Sequence, residues 1–80
     1  MKSTSKFYYR VDRSRISFIR YIFEGYDGLA ILTTLDREAG RVVLSVAPGA
    51  ETLAASVMAD LAGTIMLEPC DPPPAGPAGH

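Results

Sequence analysis

Leu29-Ala30-Ile31-Leu32-Thr33-Thr34-Leu35, then Asp36-Arg37-Glu38-Ala39-Gly40, then Arg41-Val42-Val43-Leu44-Ser45-Val46-Ala47 is the stretch on which the fold turns. Its first seven residues are apolar with β-branched members and too short for an ordinary helix, so they read as a strand. The five that follow are polar and end in glycine, which suits a hairpin connection. In the partner strand Val42, Leu44 and Val46 share one face, while Val43 and Ser45 fall on the other, because side chains alternate across a strand. Pro48-Gly49 stops it.

Upstream, Phe7-Tyr8-Tyr9-Arg10-Val11 is aromatic and β-branched and reads as a first strand, with Phe7, Tyr9 and Val11 on one face and Tyr8 and Arg10 on the other. Asp12 or Ser14 then supplies a helix N-cap. From Ile16 the apolar spacing becomes helical: Ile16, Ile19, Ile22 and Phe23 form a stripe widened by Phe18, with Ser17, Arg20 and Glu24 opposite. Gly25 stands where a left-handed residue usually closes a helix, and Tyr26-Asp27-Gly28 reads as a turn. Downstream, Glu51 to Ala62 is a second helix with Leu53, Val57 and Leu61 as its stripe, flanked by Ala54 and Met58 and ended by Gly63. Thr64 to Glu68 is expected as a last strand.

The order β-α-β-β-α-β predicts an α+β fold, the ferredoxin-like βαββαβ sandwich. Right-handed crossovers place both helices on one face of a four-stranded antiparallel sheet with strand order 4-1-3-2. The domain is expected over residues 7–68, preceded by a flexible N-terminus at 1–6 and followed by a disordered Pro/Gly-rich tail at 69–80. The uncovered sheet face would carry Tyr8, Arg10, Val43 and Ser45 with one face of Leu29–Leu35.

Tyr9-Arg10-Val11-Asp12, Phe18-Ile19, Glu24-Gly25-Tyr26-Asp27-Gly28-Leu29-Ala30 and Val46-Ala47-Pro48-Gly49 resemble a short bacterial domain family of unknown function, over about residues 7 to 68. These motifs are turns and core positions, so the resemblance implies a fold and no activity. More remotely, the element order is similar to that of the ACT domain, a regulatory module that binds amino acids at a dimer interface. Such domains carry an acidic residue and then a glycine in the loop after the first strand. The corresponding loop here, Asp12-Arg13-Ser14-Arg15, has the acid without the glycine.

Composition narrows the chemistry. Eight basic and nine acidic side chains leave a formal charge of −1, so no net field gathers phosphates. Cys70 is the sole cysteine, which rules out a disulfide within the chain and fits a reducing cytoplasm. The basic, polar start of the chain is followed by an alternating segment containing Arg10, which does not read as a signal peptide, and no stretch approaches the ~18 apolar residues of a membrane span. Cys70 and His80, both in the tail, make a poor zinc set, so neither metal nor cofactor is expected. The one histidine is the last residue, Cys70 adjoins Asp71, and asparagine is absent. Enzyme chemistry is therefore not expected. Neither nucleotide-binding glycine pattern, G-x-G-x-x-G or G-x-x-x-x-G-K-[ST], occurs. RNA could stack on Tyr8 beside Arg10 and Arg41, but strand Arg41–Ala47 lacks the aromatic residues of an RNA-recognition motif.

What remains is a binding or regulatory module. Asp12, Arg13, Ser14 and Arg15, beside Arg10 and Arg20, read first as a capped helix start with solvated arginines, and second as a site for a small anionic or amino-acid ligand at free helix amides. Tyr21, off the apolar stripe, reads as a core-edge tyrosine or a contact. Strand edges and an open face need cover, for which a symmetric homodimer is the commonest remedy, with Tyr8, Arg10, Tyr21, Val43 and Ser45 as the expected interface. The alternative is an adaptor that docks on a larger protein complex; RNA binding ranks third.

Overall fold

The computed structural model describes residues 4–72. The chain runs β1 (Ser5–Val11), a 3-10 turn (Arg13–Arg15), α1 (Ile16–Glu24), β2 (Ala30–Asp36), β3 (Arg41–Val46), α2 (Glu51–Ala62) and β4 (Leu67–Pro69). All four strands form one antiparallel sheet in the order β2-β3-β1-β4, the ferredoxin-like arrangement. The stretch 29–47 folds as its spacing predicts. Leu32 pairs with Leu44 and Thr33 with Val43, and a bulge between Thr34 and Asp36 brings Asp36 opposite Arg41.

Alternation sorts the sheet into two faces. Val11, Leu32, Val42, Leu44 and Val46 are buried against Ile16, Ile19 and Phe23 of α1 and Ala54, Val57 and Met58 of α2, so both helices cover one face. Removing these side chains from water is the main favourable term for so short a chain. The described residues contain no buried polar or charged side chain.

Four local readings are corrected. Gly25 is right-handed (φ −75°), and its N–H donates to the carbonyls of Tyr21 and Ile22; the left-handed glycine is Gly28 (φ 74°), inside the turn. The predicted stripe of α2 is rotated: Ala54, Val57 and Met58 are buried, Leu61 is half-buried, and Leu53 is 51% exposed. The last strand starts at Leu67 rather than Thr64. Thr64 and Ile65 donate their amides to the Leu61 carbonyl at 3.0 and 2.9 Å, so the chain wraps the end of α2 and drops Ile65 into the core before it can pair. The domain also outruns its expected limits. Ser5 and Lys6 pair with Val46 and Ser45, and Pro69 lies opposite Tyr9 on an edge strand, where a missing N–H is tolerated. The Cys70 N–H then donates to the Tyr8 carbonyl at 2.9 Å. The expectations for residues 1–3 and 73–80, including His80, lie outside the described residues.

Candidate functional site

The loop after β1 is held by its own side chains. Oδ1 of Asp12 accepts from the Ser14 N–H at 3.0 Å and the Ser14 hydroxyl at 2.8 Å, closing the 3-10 turn. These two bonds, hydroxyl first, with smaller help from Arg15 and Arg13, hold the Asp12 carboxyl below its usual range. Nη1 of Arg13 donates to Oε1 of Glu38 in the β2–β3 turn at 2.8 Å. Arg15, as N-cap of α1, makes no side-chain capping bond. Asp12, Arg13 and Ser14 are thus engaged in joining the loop to itself and to the hairpin, and a small anion would compete with Glu38 for Arg13.

The residues expected at an interface divide between the two faces. Tyr8 and Val43 are direct cross-strand neighbours on the open face, next to the Lys6–Ser45 and Arg10–Arg41 pairs. Val43, flanked by Tyr8 and Thr33, is only 7% exposed. Arg10 is spoken for: Nε and Nη2 both donate to Oε2 of Glu68 across β4, at 3.0 and 2.5 Å, which raises the guanidinium pKa further. Tyr21 stands apart on α1, on the helix-covered side, and is 71% exposed.

The two sheet edges are unlike. β4 has three residues and ends in proline, a short blunted edge. β2 has seven residues, with neither proline nor lysine, and Ile31 is 70% exposed along it. The Leu29 carbonyl accepts from the Ala47 N–H at 3.0 Å, in register with the Ala30–Val46 pair. In an antiparallel ladder the backbone groups alternate between partners, so those of Ile31 and Thr33 point to β3 and those of Ala30, Leu32 and Thr34 point out of the sheet. Arg20 of α1 leans along the helix-side flank of this edge, Nη2 donating to Oγ1 of Thr34 at 3.2 Å. A groove of about 270 Å³ between α1 and β2, lined by Arg20, Phe23, Glu24, Ala30, Ile31 and Leu32, runs beside it.

At the start of β2 this groove meets an open cavity of about 520 Å³. Two segments remote in sequence build its wall: Glu24 at the end of α1 with Tyr26, Asp27 and Gly28 of the turn that follows, and Ala47 and Pro48 after β3. Tyr26 is fixed there by its ring against Phe23, with centroids 6.4 Å apart. Glu24 and Asp27 give the rim negative charge without a basic residue in the lining, and neither makes an ion pair among the described residues. Sequence reasoning took both turns as structural. The signal present in the sequence was two acids three residues apart, at the end of α1 and in the turn after it, and only the fold brings the second turn beside them. Among the described residues there is no metal-binding group of three or more His, Cys, Asp or Glu, and no helix long and apolar enough to cross a membrane.

No curated protein and no solved structure matches the chain. Residues 9–65 match one family, described as Domain of unknown function (DUF4911). That span takes in β1 from Tyr9, both helices, the hairpin and both walls of the cavity, and it covers well over half of the sequence. The chain belongs to this domain-of-unknown-function family.

Proposed function

We propose that this domain is a non-enzymatic interaction module that works by self-association, with the edge of β2 as its contact surface. One observation carries the reading: β2 is an edge strand that leaves the outward N–H and C=O groups of Ala30, Leu32 and Thr34 without a backbone partner among the described residues, and it has neither proline nor lysine, its bulge lying at the far end between Thr34 and Asp36. Two such edges, related by a two-fold axis, satisfy each other and join two sheets into one of eight strands. The reading places the protein in the cytoplasm, supported by its lone thiol.

Sedimentation equilibrium over a range of concentrations tests it. The expected result is a dimer that becomes monomeric when Ile31→Lys puts a charge on the edge. A wild-type chain that stays monomeric at every concentration would overturn it. The groove between α1 and β2 supports a second reading, an adaptor that takes an extended segment of a foreign protein as a fifth strand. RNA on the open face has less support, because Glu68 neutralises Arg10 and an aliphatic residue, Val43, occupies the middle of the face.

A further inference from the structure

We infer that two copies of β2 pair about a two-fold axis at Leu32, and that Arg20 of each subunit then meets the partner's Glu24 across the joined edges. The inference rests on the self-association proposed above and adds to it a register and the ion pairs that fix it.

The register follows from the outward backbone groups of Ala30, Leu32 and Thr34, all in the regular part of β2 before its bulge. Antiparallel pairing joins residues whose N–H and C=O groups face each other. With Leu32 on the axis, Leu32 faces the partner's Leu32, while Ala30 and Thr34 face the partner's Thr34 and the partner's Ala30. Every outward group is then satisfied, because each facing pair exchanges two hydrogen bonds. A shift of two residues either way keeps only two facing pairs. It carries Thr34 past the start of the partner strand, or sets Ala30 against the partner's bulge. On the open face the Leu32 register puts Ile31, 70% exposed, opposite the partner's Thr33 on both sides of the axis, a pair of β-branched side chains.

Charge on α1 selects the same register. Arg20 and Glu24 stand about one turn apart on the helix, and both line the groove beside β2. Arg20 reaches one end of the pairing stretch, at Oγ1 of Thr34, and Glu24 lies at the other end, beside Ala30. An axis at Leu32 brings Thr34 of one subunit next to the partner's Ala30, so the basic end of each flank meets the acidic end of the other. The gap to span is about one strand spacing, ~4.8 Å. Both side chains are exposed, and neither makes an ion pair among the described residues. Within α1 the arginine precedes the acid, the less favourable order for a pair four residues apart. A two-residue slip would move each guanidinium about 7 Å along the edge from its carboxylate.

Cysteine trapping reads the register, in a Cys70→Ser background that removes the native thiol. Ile31 and the partner's Thr33 form a non-hydrogen-bonded pair, the closer kind of cross-strand neighbour. Mixed Ile31→Cys and Thr33→Cys chains are therefore expected to give a disulfide-linked heterodimer on mild oxidation, and neither chain to crosslink alone. An axis at Ile31 or at Thr33 would instead crosslink one variant with itself. Charge reversal reads the ion pairs. Arg20→Glu and Glu24→Arg are each expected to weaken the homodimer about tenfold, and their equimolar mixture to recover most of the loss, because every facing pair is again opposite in sign. Damage to one subunit's own fold would not be rescued by mixing. If the parent chain dimerises but Ile31→Cys or Thr33→Cys crosslinks alone as readily as the mixture, or the mixed charge variants bind no tighter than either alone, the inference is wrong and self-association stands. If the parent chain does not dimerise, both fall.

Discussion

The residue with least freedom is Gly40. It closes the hairpin at φ 74°, its carbonyl accepts the Val11 N–H at 2.8 Å, and a Cβ built on it would lie 2.0 Å from the Val11 carbonyl oxygen. That oxygen belongs to the backbone of β1 and cannot move without opening the sheet. Gly28 has the same φ of 74° but open space where a Cβ would go. The pair separates the cost of conformation from the cost of collision. Gly28→Ala should lose about 1 kcal/mol, the ordinary penalty of a left-handed alanine, and Gly40→Ala roughly 3 kcal/mol or more, read from urea unfolding. Asp12 supports a second test at this scale. Its carboxyl is held below the ordinary 3.8 by the Ser14 hydroxyl and amide, so its folded pKa is depressed. A depressed carboxylate contributes stability that is present above the unfolded pKa and is lost as pH falls through the folded value. Asp12→Ala should therefore be less stable than wild type at neutral pH, with the gap in melting temperature closing as the pH drops below 3.8.

At the scale of elements, legibility follows the period of the pattern. The strands of residues 29–47 were readable because a one-residue slip would turn Val42, Leu44 and Val46 out of the core, leaving one sensible assignment. The helix stripe of α2 was not. Leu53 and Ala54 are neighbours 100° apart on a helix, and hydrophobicity favours the leucine. What decides is which face of the helix the fold turns to the core, and that face carries the small Ala54, fully buried, rather than Leu53. The start of β4 was hidden for a similar reason, since Thr64-Ile65-Met66 has strand composition and only the C-terminal carbonyls of α2 reveal that its amides are taken. The loop Asp12–Arg15 was legible as a cap but not as a strap, because its partner, Glu38, lies on a hairpin 25 residues away from Arg13. The rotated stripe makes a prediction opposite to the sequence pattern. Leu53→Glu should change stability by no more than about 0.5 kcal/mol, whereas Met58→Ala, which empties a site 2% exposed, should cost about 2–5 kcal/mol, both by denaturant melts.

For the whole molecule, the question is where a chain of this size finds enough buried surface. A domain of 80 residues hides a smaller share of its unfolded surface than a larger one, so each exposed apolar group costs it proportionally more. Here Ile31 and Leu35 lie in or beside the edge strand that also leaves backbone groups unpaired, so one contact would cover both. If the dimer covers them, folding and association are coupled, and a ligand that binds only the folded state, even a second copy of the same chain, raises the unfolding temperature by mass action. The melting temperature of the wild-type chain should then climb steadily as its concentration is raised a hundredfold. Ile31→Lys, at a position 70% exposed in the lone subunit, should leave the fold intact by circular dichroism yet melt at a temperature independent of concentration. The variant should match the wild type at the lowest concentration, where dimers dissociate before they unfold, and fall behind it as concentration rises. A constant offset between the two curves would instead assign Ile31 to the stability of the single subunit, and would remove β2 as the contact surface.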